Sequence, residues 1–110
     1  MAETIKVLGQ AALTAETDTD VYTVPASTST VISTIVIANR AGSATTFRLA
    51  VRPNGATIAN QHYVAYDIAL AANDSTTLTL GITMDAADVL TAYSGAGSSV
   101  SVNVFGTEIS

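Results

Sequence analysis

The chain of 110 residues has no cysteine, no tryptophan, two prolines and a single histidine. Without cysteine there is no disulfide staple, no thiolate metal site and no thiol nucleophile. That suits synthesis in a reducing cytoplasm, although any compartment accommodates it. Basic residues are nearly as scarce: three Arg and one Lys face nine acids, for a net charge of −5 and a pI near 4.3. Sequence-independent nucleic-acid affinity comes mainly from Lys and Arg neutralising phosphates, so nucleic acid is not an expected partner. An anionic membrane is disfavoured on the same ground. The longest apolar run, Ile68-Ala69-Leu70-Ala71-Ala72, falls far short of the ~20 residues a spanning helix needs. Met1-Ala2-Glu3-Thr4 carries neither a basic patch nor an apolar stretch, so no secretory signal is expected.

What is abundant is β-branching. Thr, Val and Ile together make 36 residues, about a third of the chain. Their stiffness at χ1 disfavours helix and suits a pleated surface. Nineteen alanines inflate the apolar fraction, leaving 34 larger apolar side chains, enough for one modest core. The length fits one domain, residues 1–110. With 12% charged residues, solubility falls largely to Thr and Ser hydroxyls.

Alternation with period two runs through most of the chain. Phe47, Leu49 and Val51 share one face of residues 45–52, with Thr46, Arg48 and Arg52 on the other. Leu78, Leu80 and Ile82 alternate with Thr77, Thr79 and Gly81, and Val100, Val102 and Val104 with Ser99, Ser101 and Asn103. Residues 31–38 are apolar on both faces, which predicts the most buried strand. Weaker strands are predicted at residues 5–10, 21–24, 62–70 and 88–93. These eight segments, separated by turn signals, predict an all-β fold: an antiparallel β-sandwich of about eight strands, jelly-roll-like. Its predicted core comprises Ile32, Ile35, Ile37, Phe47, Leu49, Val51, Leu78, Leu80, Ile82, Val102 and Val104.

Turns are predicted at residues 39–43, as a short hairpin connection, at Pro53-Asn54-Gly55, at Asn73-Asp74 and at residues 85–88. Ser94-Gly95-Ala96-Gly97-Ser98 reads as a loop. Residues 9–19 have no clear period. They fit an extended connection across the end of the sandwich, while residues 1–15 could instead be an arm laid on a neighbouring subunit. Local connections are the commoner outcome. If the terminal strand pairs outside its own sheet, Ile5, Val7, Leu8 and Gln10 become the candidate subunit or capsid contacts.

Few residues could carry chemistry. His62 would need a serine and an oriented carboxylate beside it. Asp67 lies five residues on, and odd separations along a strand put side chains on opposite faces. A structural role is therefore expected for His62. Glu16, Asp18 and Asp20 alternate, and an extended backbone would align three oxygen donors suited to a hard cation. A solvated acidic edge is the commoner meaning of such a pattern. Asp85 and Asp88 are expected to bond turn backbone. Tyr22, Tyr63, Tyr66 and Tyr93 could stack on sugar rings or simply pack. No catalytic residue, cofactor site or metal site is assigned, and the chain is expected not to be an enzyme.

The order of several phrases resembles that of small structural proteins of tailed-bacteriophage particles. The phrases are Lys6-Val7-Leu8-Gly9-Gln10, then Val21-Tyr22-Thr23-Val24-Pro25-Ala26, then the VISTIVIAN stretch of residues 31–39. Leu80-Gly81-Ile82-Thr83-Met84-Asp85-Ala86-Ala87-Asp88-Val89-Leu90 and Val104-Phe105-Gly106-Thr107-Glu108-Ile109 complete the series. The resemblance spans nearly the whole chain. It implies a non-enzymatic virion structural protein, in first place a capsid decoration or cement protein that stabilises the major capsid shell. Such a protein would be made in the host cytoplasm and sit on the capsid surface. Its partners would be the major capsid protein and its own copies, as a homotrimer at a local three-fold position. The alternative implied is a tail or baseplate module binding a host-surface glycan or receptor. Glycan binding would gather several tyrosines in one exposed patch.

Overall fold

The computed structural model describes residues 2–97 and 99–110, so Ser98 of the Gly/Ser loop and Met1 lie outside the described residues. Two antiparallel sheets make up the fold, in keeping with the expected all-β sandwich. Sheet A contains β1 (Glu3–Ala12), β9 (Val100–Ile109) and β3 (Ser29–Asn39), with β6 (Ser75–Leu78) and β7 (Ile82–Met84) both pairing the far edge of β3. Sheet B runs in the order β2 (Thr19–Thr23), β8 (Val89–Ser94), β4 (Thr45–Arg52), β5 (Tyr63–Leu70). Short 3-10 turns, Pro53–Gly55 and Asn60–His62, punctuate the connection from β4 to β5.

The core lies between the sheets. Ile32, Ile35 and Ile37 of β3 and Val100, Val102 and Val104 of β9 meet Phe47 and Leu49 of β4 and Leu90 of β8. All are buried, and each large side chain so placed contributes about 1.5–3 kcal/mol relative to exposure. Leu13, Tyr22, Val24, Leu70 and Met84 also belong to this core, although the strand patterns did not select them.

Register shifts decide which residues face inward. In β3 the register with β9 slips between Ile32 and Thr34, leaving Ser33 as an extra residue. Its hydroxyl donates to the Phe105 carbonyl at 3.1 Å. Even-numbered residues, Thr30 and Ile32, are buried before this bulge, and odd-numbered ones, Ile35, Ile37 and Asn39, after it. One inserted residue reverses the face on which the rest of a strand presents its side chains. The expectation that residues 31–38 form the most buried strand is thereby corrected. Ile32, Ile35 and Ile37 face the core. Val31, Val36 and Ala38 face outward, where no second layer covers them among the described residues, and Val31 is 41% exposed. The most buried strand is β8, with five of its six residues buried.

A second correction concerns residues 78–82. β6 and β7 pair β3 on either side of its bulge: Leu78 stands opposite Ile35 and Ile82 opposite Ile32. The intervening residues are in excess and loop out, with Gly81 at a left-handed φ of +66°. Leu80, predicted in the core, is 49% exposed. The single run becomes two strands, which raises the count to nine among the described residues.

A third correction concerns residues 39–43. β3 and β4 lie in different sheets, so this segment crosses between layers and is not a hairpin. Asn39, 3% exposed, anchors the crossing. Its Nδ2 donates to the Ser43 carbonyl at 2.9 Å and the Ala71 carbonyl at 3.2 Å, while Oδ1 accepts from the Ala41 N–H at 3.0 Å. The connection from β1 to β2 is an extended inter-sheet crossing as well. The Leu13 N–H donates to Val100 and the Glu16 N–H to Ser94.

Candidate functional site

β1 pairs with β9 of its own chain from Glu3 to Ala12, with a bulge that leaves Leu8 unpaired between Val7 and Gly9. Residues 1–15 contain an edge strand of their own sandwich rather than a free arm. The four candidate contact residues part company at the bulge. Ile5 is 86% exposed, and Val7 is exposed beside it. Leu8 packs against the core. Gln10 is exposed and its Nε2 donates to Asn103 Oδ1 at 2.6 Å.

Cross-strand pairing places Val7 opposite Phe105, and both Ile5 and Val31 opposite Thr107. Directly opposed side chains share a face, and Phe105 alternates with the buried Val104 and Gly106. Ile5, Val7, Phe105 and Val31 therefore form an outward patch on sheet A. The outer face of a solvated antiparallel sheet ordinarily reads polar. This face does not.

The outer face of sheet B carries a different chemistry. Arg48 of β4 stands opposite Tyr93 of β8. On its other side, β5 holds two register shifts, between Ala65 and Ile68 and between Tyr63 and Ala65. Asp67, in the first, adopts φ +50°. These shifts turn Tyr63, Tyr66 and Asp67 to the outer face together, although a regular strand would separate Tyr63 from Tyr66. The Arg48 guanidinium lies 4.2 Å from the Tyr66 ring centroid and 4.3 Å from that of Tyr93. Its Nε donates to Asp67 Oδ1 at 2.6 Å and its Nη2 to Asp67 Oδ2 at 3.3 Å. That hydrogen-bonded carboxylate, together with the two rings, pushes the Arg48 pKa further above its ordinary value. Tyr63 meets Tyr66 edge to face at a centroid distance of 4.8 Å and 86° between planes. An open depression of about 390 Å³ is lined by Asn60, Tyr63 and Tyr66.

Further along the same face, Arg52 Nη2 donates to Asp20 Oδ1 at 2.7 Å, and its Nε donates to Thr91 Oγ1 at 3.0 Å. Thr91 Oγ1 also donates to Asp20 Oδ1 at 3.0 Å. Asp20 is thus engaged as a structural ion pair. Glu16 takes a left-handed φ of +56°, which breaks the extended backbone that would have aligned it with Asp18 and Asp20. Among the described residues, no three His, Asp or Glu side chains converge.

The remaining sequence candidates resolve into structural bonds. His62 closes a 3-10 turn, its Nδ1 accepting the Ala59 N–H at 3.0 Å, while Asp67 is held by Arg48. Asp88 Oδ2 accepts the Asp85 N–H and Oδ1 the Asn54 N–H, each at 2.8 Å. Asp85 Oδ1 accepts the Ala86 N–H at 2.8 Å. The bonds within residues 85–88 are the turn bonds expected of Asp at such positions, while the bond to Asn54 ties this turn to the one at Pro53–Gly55.

Strand alternation did not foretell the polar cluster at the end of the sandwich, where Glu108 continues the inward face of β9. Tyr22 Oη donates its one hydrogen to Glu108 Oε2 at 2.6 Å. The Tyr22–Thr30 contact of 2.7 Å must then be donated by Thr30. Lys6 Nζ reaches Glu108 Oε1 at 3.1 Å. Burial and the neighbouring carboxylate push the Tyr22 pKa up to about 12. The Tyr22 hydrogen bond, reinforced by Lys6, holds Glu108 below the usual carboxylate range.

No family model, no curated protein and no solved structure matches the chain.

Proposed function

We propose that this chain is a non-enzymatic structural protein of a tailed-bacteriophage particle, a capsid decoration or cement protein that binds the major capsid shell as a homotrimer. The observation that carries the reading is the outward apolar patch of sheet A, with Ile5 86% exposed near the start of a long edge strand. Exposed large apolar side chains gathered on one face of a small domain mark a surface that associates. A cement protein needs such surfaces on a rigid scaffold. The order of phrases set out above points the association toward a phage particle.

The strand order supports a jelly roll. β6 and β7 count as one interrupted strand along β3, since both pair that edge. The sheets then read 1-8-3-6 and 2-7-4-5 in eight-strand numbering, the arrangement of two interleaved Greek keys. This scaffold recurs in capsid proteins and in lectins, so it favours neither location by itself.

Mixing the purified protein with particles that lack it tests the proposal. Saturable co-sedimentation and a higher temperature of shell disruption are expected. A protein that stays monomeric at high concentration and does not sediment with such particles would overturn it. The second reading is a tail or baseplate module that binds a host-surface glycan. The gathering of Tyr63, Tyr66 and Tyr93 on one face favours it.

A further inference from the structure

We propose that the outer face of sheet B is a binding site for a neutral saccharide, centred on the depression between Asn60, Tyr63 and Tyr66. This deepens the glycan-binding part of the second reading and rests on that part alone, not on a tail or baseplate location. Three of the chain's four tyrosines meet on this face, and none is committed to the core as Tyr22 is. Tyr66 is 53% exposed. A core tyrosine finds a partner for its hydroxyl. Among the described residues, the hydroxyls of Tyr63, Tyr66 and Tyr93, the Asn60 amide and Arg48 Nη1 make no hydrogen bond to protein. The face thus combines apolar rings with unspent donors and acceptors.

A pyranose matches that combination. Its C–H face packs on the ring surface that Tyr63 and Tyr66 turn into the depression, Arg48 already lying over Tyr93 and one face of Tyr66. Its hydroxyls need neutral donors and acceptors around the edge. Charge decides against an anionic ligand. Asp67 neutralises Arg48 at 2.6 Å, the nearby Arg52 is neutralised by Asp20 at 2.7 Å, and the chain carries −5 overall. Arg48 instead acts as a spacer. Its guanidinium lies over both Tyr66 and Tyr93 and is clamped by Asp67, which holds the rings in place before a ligand arrives and so lowers the ordering cost of binding. The volume of about 390 Å³ falls at the small end of the ~300–1,000 Å³ usual for ligand sites. Such an open site binds weakly alone, and repetition on a particle raises its avidity.

The test uses the intact chain and a panel of neutral gluco-, galacto- and manno-oligosaccharides. Binding is followed by tyrosine fluorescence, undisturbed by tryptophan, and by amide chemical shifts. At least one sugar is expected to bind saturably and to shift the amides of residues 60–67. Tyr66→Ala should weaken binding at least tenfold and Asn60→Ala severalfold, both variants staying folded by circular dichroism. Tyr66→Ala should melt a few degrees lower for the loss of its Arg48 and Tyr63 contacts. Saturable binding by none of the panel, or binding that Tyr66→Ala leaves intact, would overturn the proposal. Failure of the capsid reading is separable, because Tyr66→Ala should leave co-sedimentation with particles unchanged. A Tyr66→Ala variant that loses particle binding, from a protein that takes up no sugar, would make this face a protein interface and overturn the saccharide site.

Discussion

Glu108 is a carboxylate on the inward face of a strand otherwise lined by valines and a glycine, and its partners fix how stability responds to pH. Because its folded pKa lies below the ordinary value, its contribution is complete above the unfolded value near ~4.3. It is lost as pH falls through the depressed folded value. Tyr22 has the opposite sign. Its pKa is raised to about 12, so its contribution is complete below ~10 and is lost as pH climbs from there toward the folded value. Urea midpoints measured across pH should fall at both ends. Glu108→Gln should flatten the acid limb and Tyr22→Phe the alkaline one. A second residue-scale test is Gly106→Ala. A Cβ there would run into the Val31 carbonyl, Leu8 Cδ1 and the Ile32 Cα, because both strands flanking β9 bulge at this level. Two of those obstacles are backbone. The expected loss is about 2–3 kcal/mol, at the upper end for overpacking, read as a lower urea midpoint at constant m-value.

At the scale of elements, the sequence pattern touched each strand but merged β6 and β7 into one, and it failed wherever an extra residue enters. Residues 31–38 are apolar on both faces, with Val31, Val36 and Ala38 outward, but only the inner face meets the other sheet. The Ser33 bulge is what brings Ile32 and Ile35, three apart, to that inner face. Nothing in Ile32-Ser33-Thr34 announces a bulge, since the extra residue is dictated by pairing with a strand some seventy positions away. Leu80 was assigned to the core because its run alternates without a break, and only Gly81 marked the place where the chain leaves the sheet. The tyrosine face was hidden for the same reason: Tyr63 and Tyr66 share a face solely because β5 is irregular. His62 and the Asp85–Asp88 turn were legible, because the His62 bond to Ala59 and the bonds within residues 85–88 are local, whereas the Asp88 bond to the Asn54 N–H was not. Paired substitutions separate pattern from burial. Leu90→Ala, at a fully buried position, should cost about 2–5 kcal/mol, whereas Leu80→Ala should stay within about 0.5 kcal/mol. Equal losses at both sites would mean that Leu80 is packed after all.

For the whole molecule, the two outer faces divide the work. Sheet A presents aliphatic side chains along the edge strand β1, and sheet B presents tyrosines held by a neutralised arginine. Double substitution of Ile5→Asp and Val7→Asp should leave the melting temperature within a few degrees, since both side chains are exposed. The same change should abolish self-association in sedimentation velocity and release the protein from particles. An unfolded double variant would instead make β1 essential to the monomer. Cryo-electron microscopy of the intact particle tests the central proposal most directly. Density for this two-sheet domain is expected at local three-fold positions on the outside of the capsid, with Ile5, Val7 and Val31 against the shell or a neighbouring copy. Density confined to the tail or baseplate, or a particle containing no copy of the chain, would contradict it.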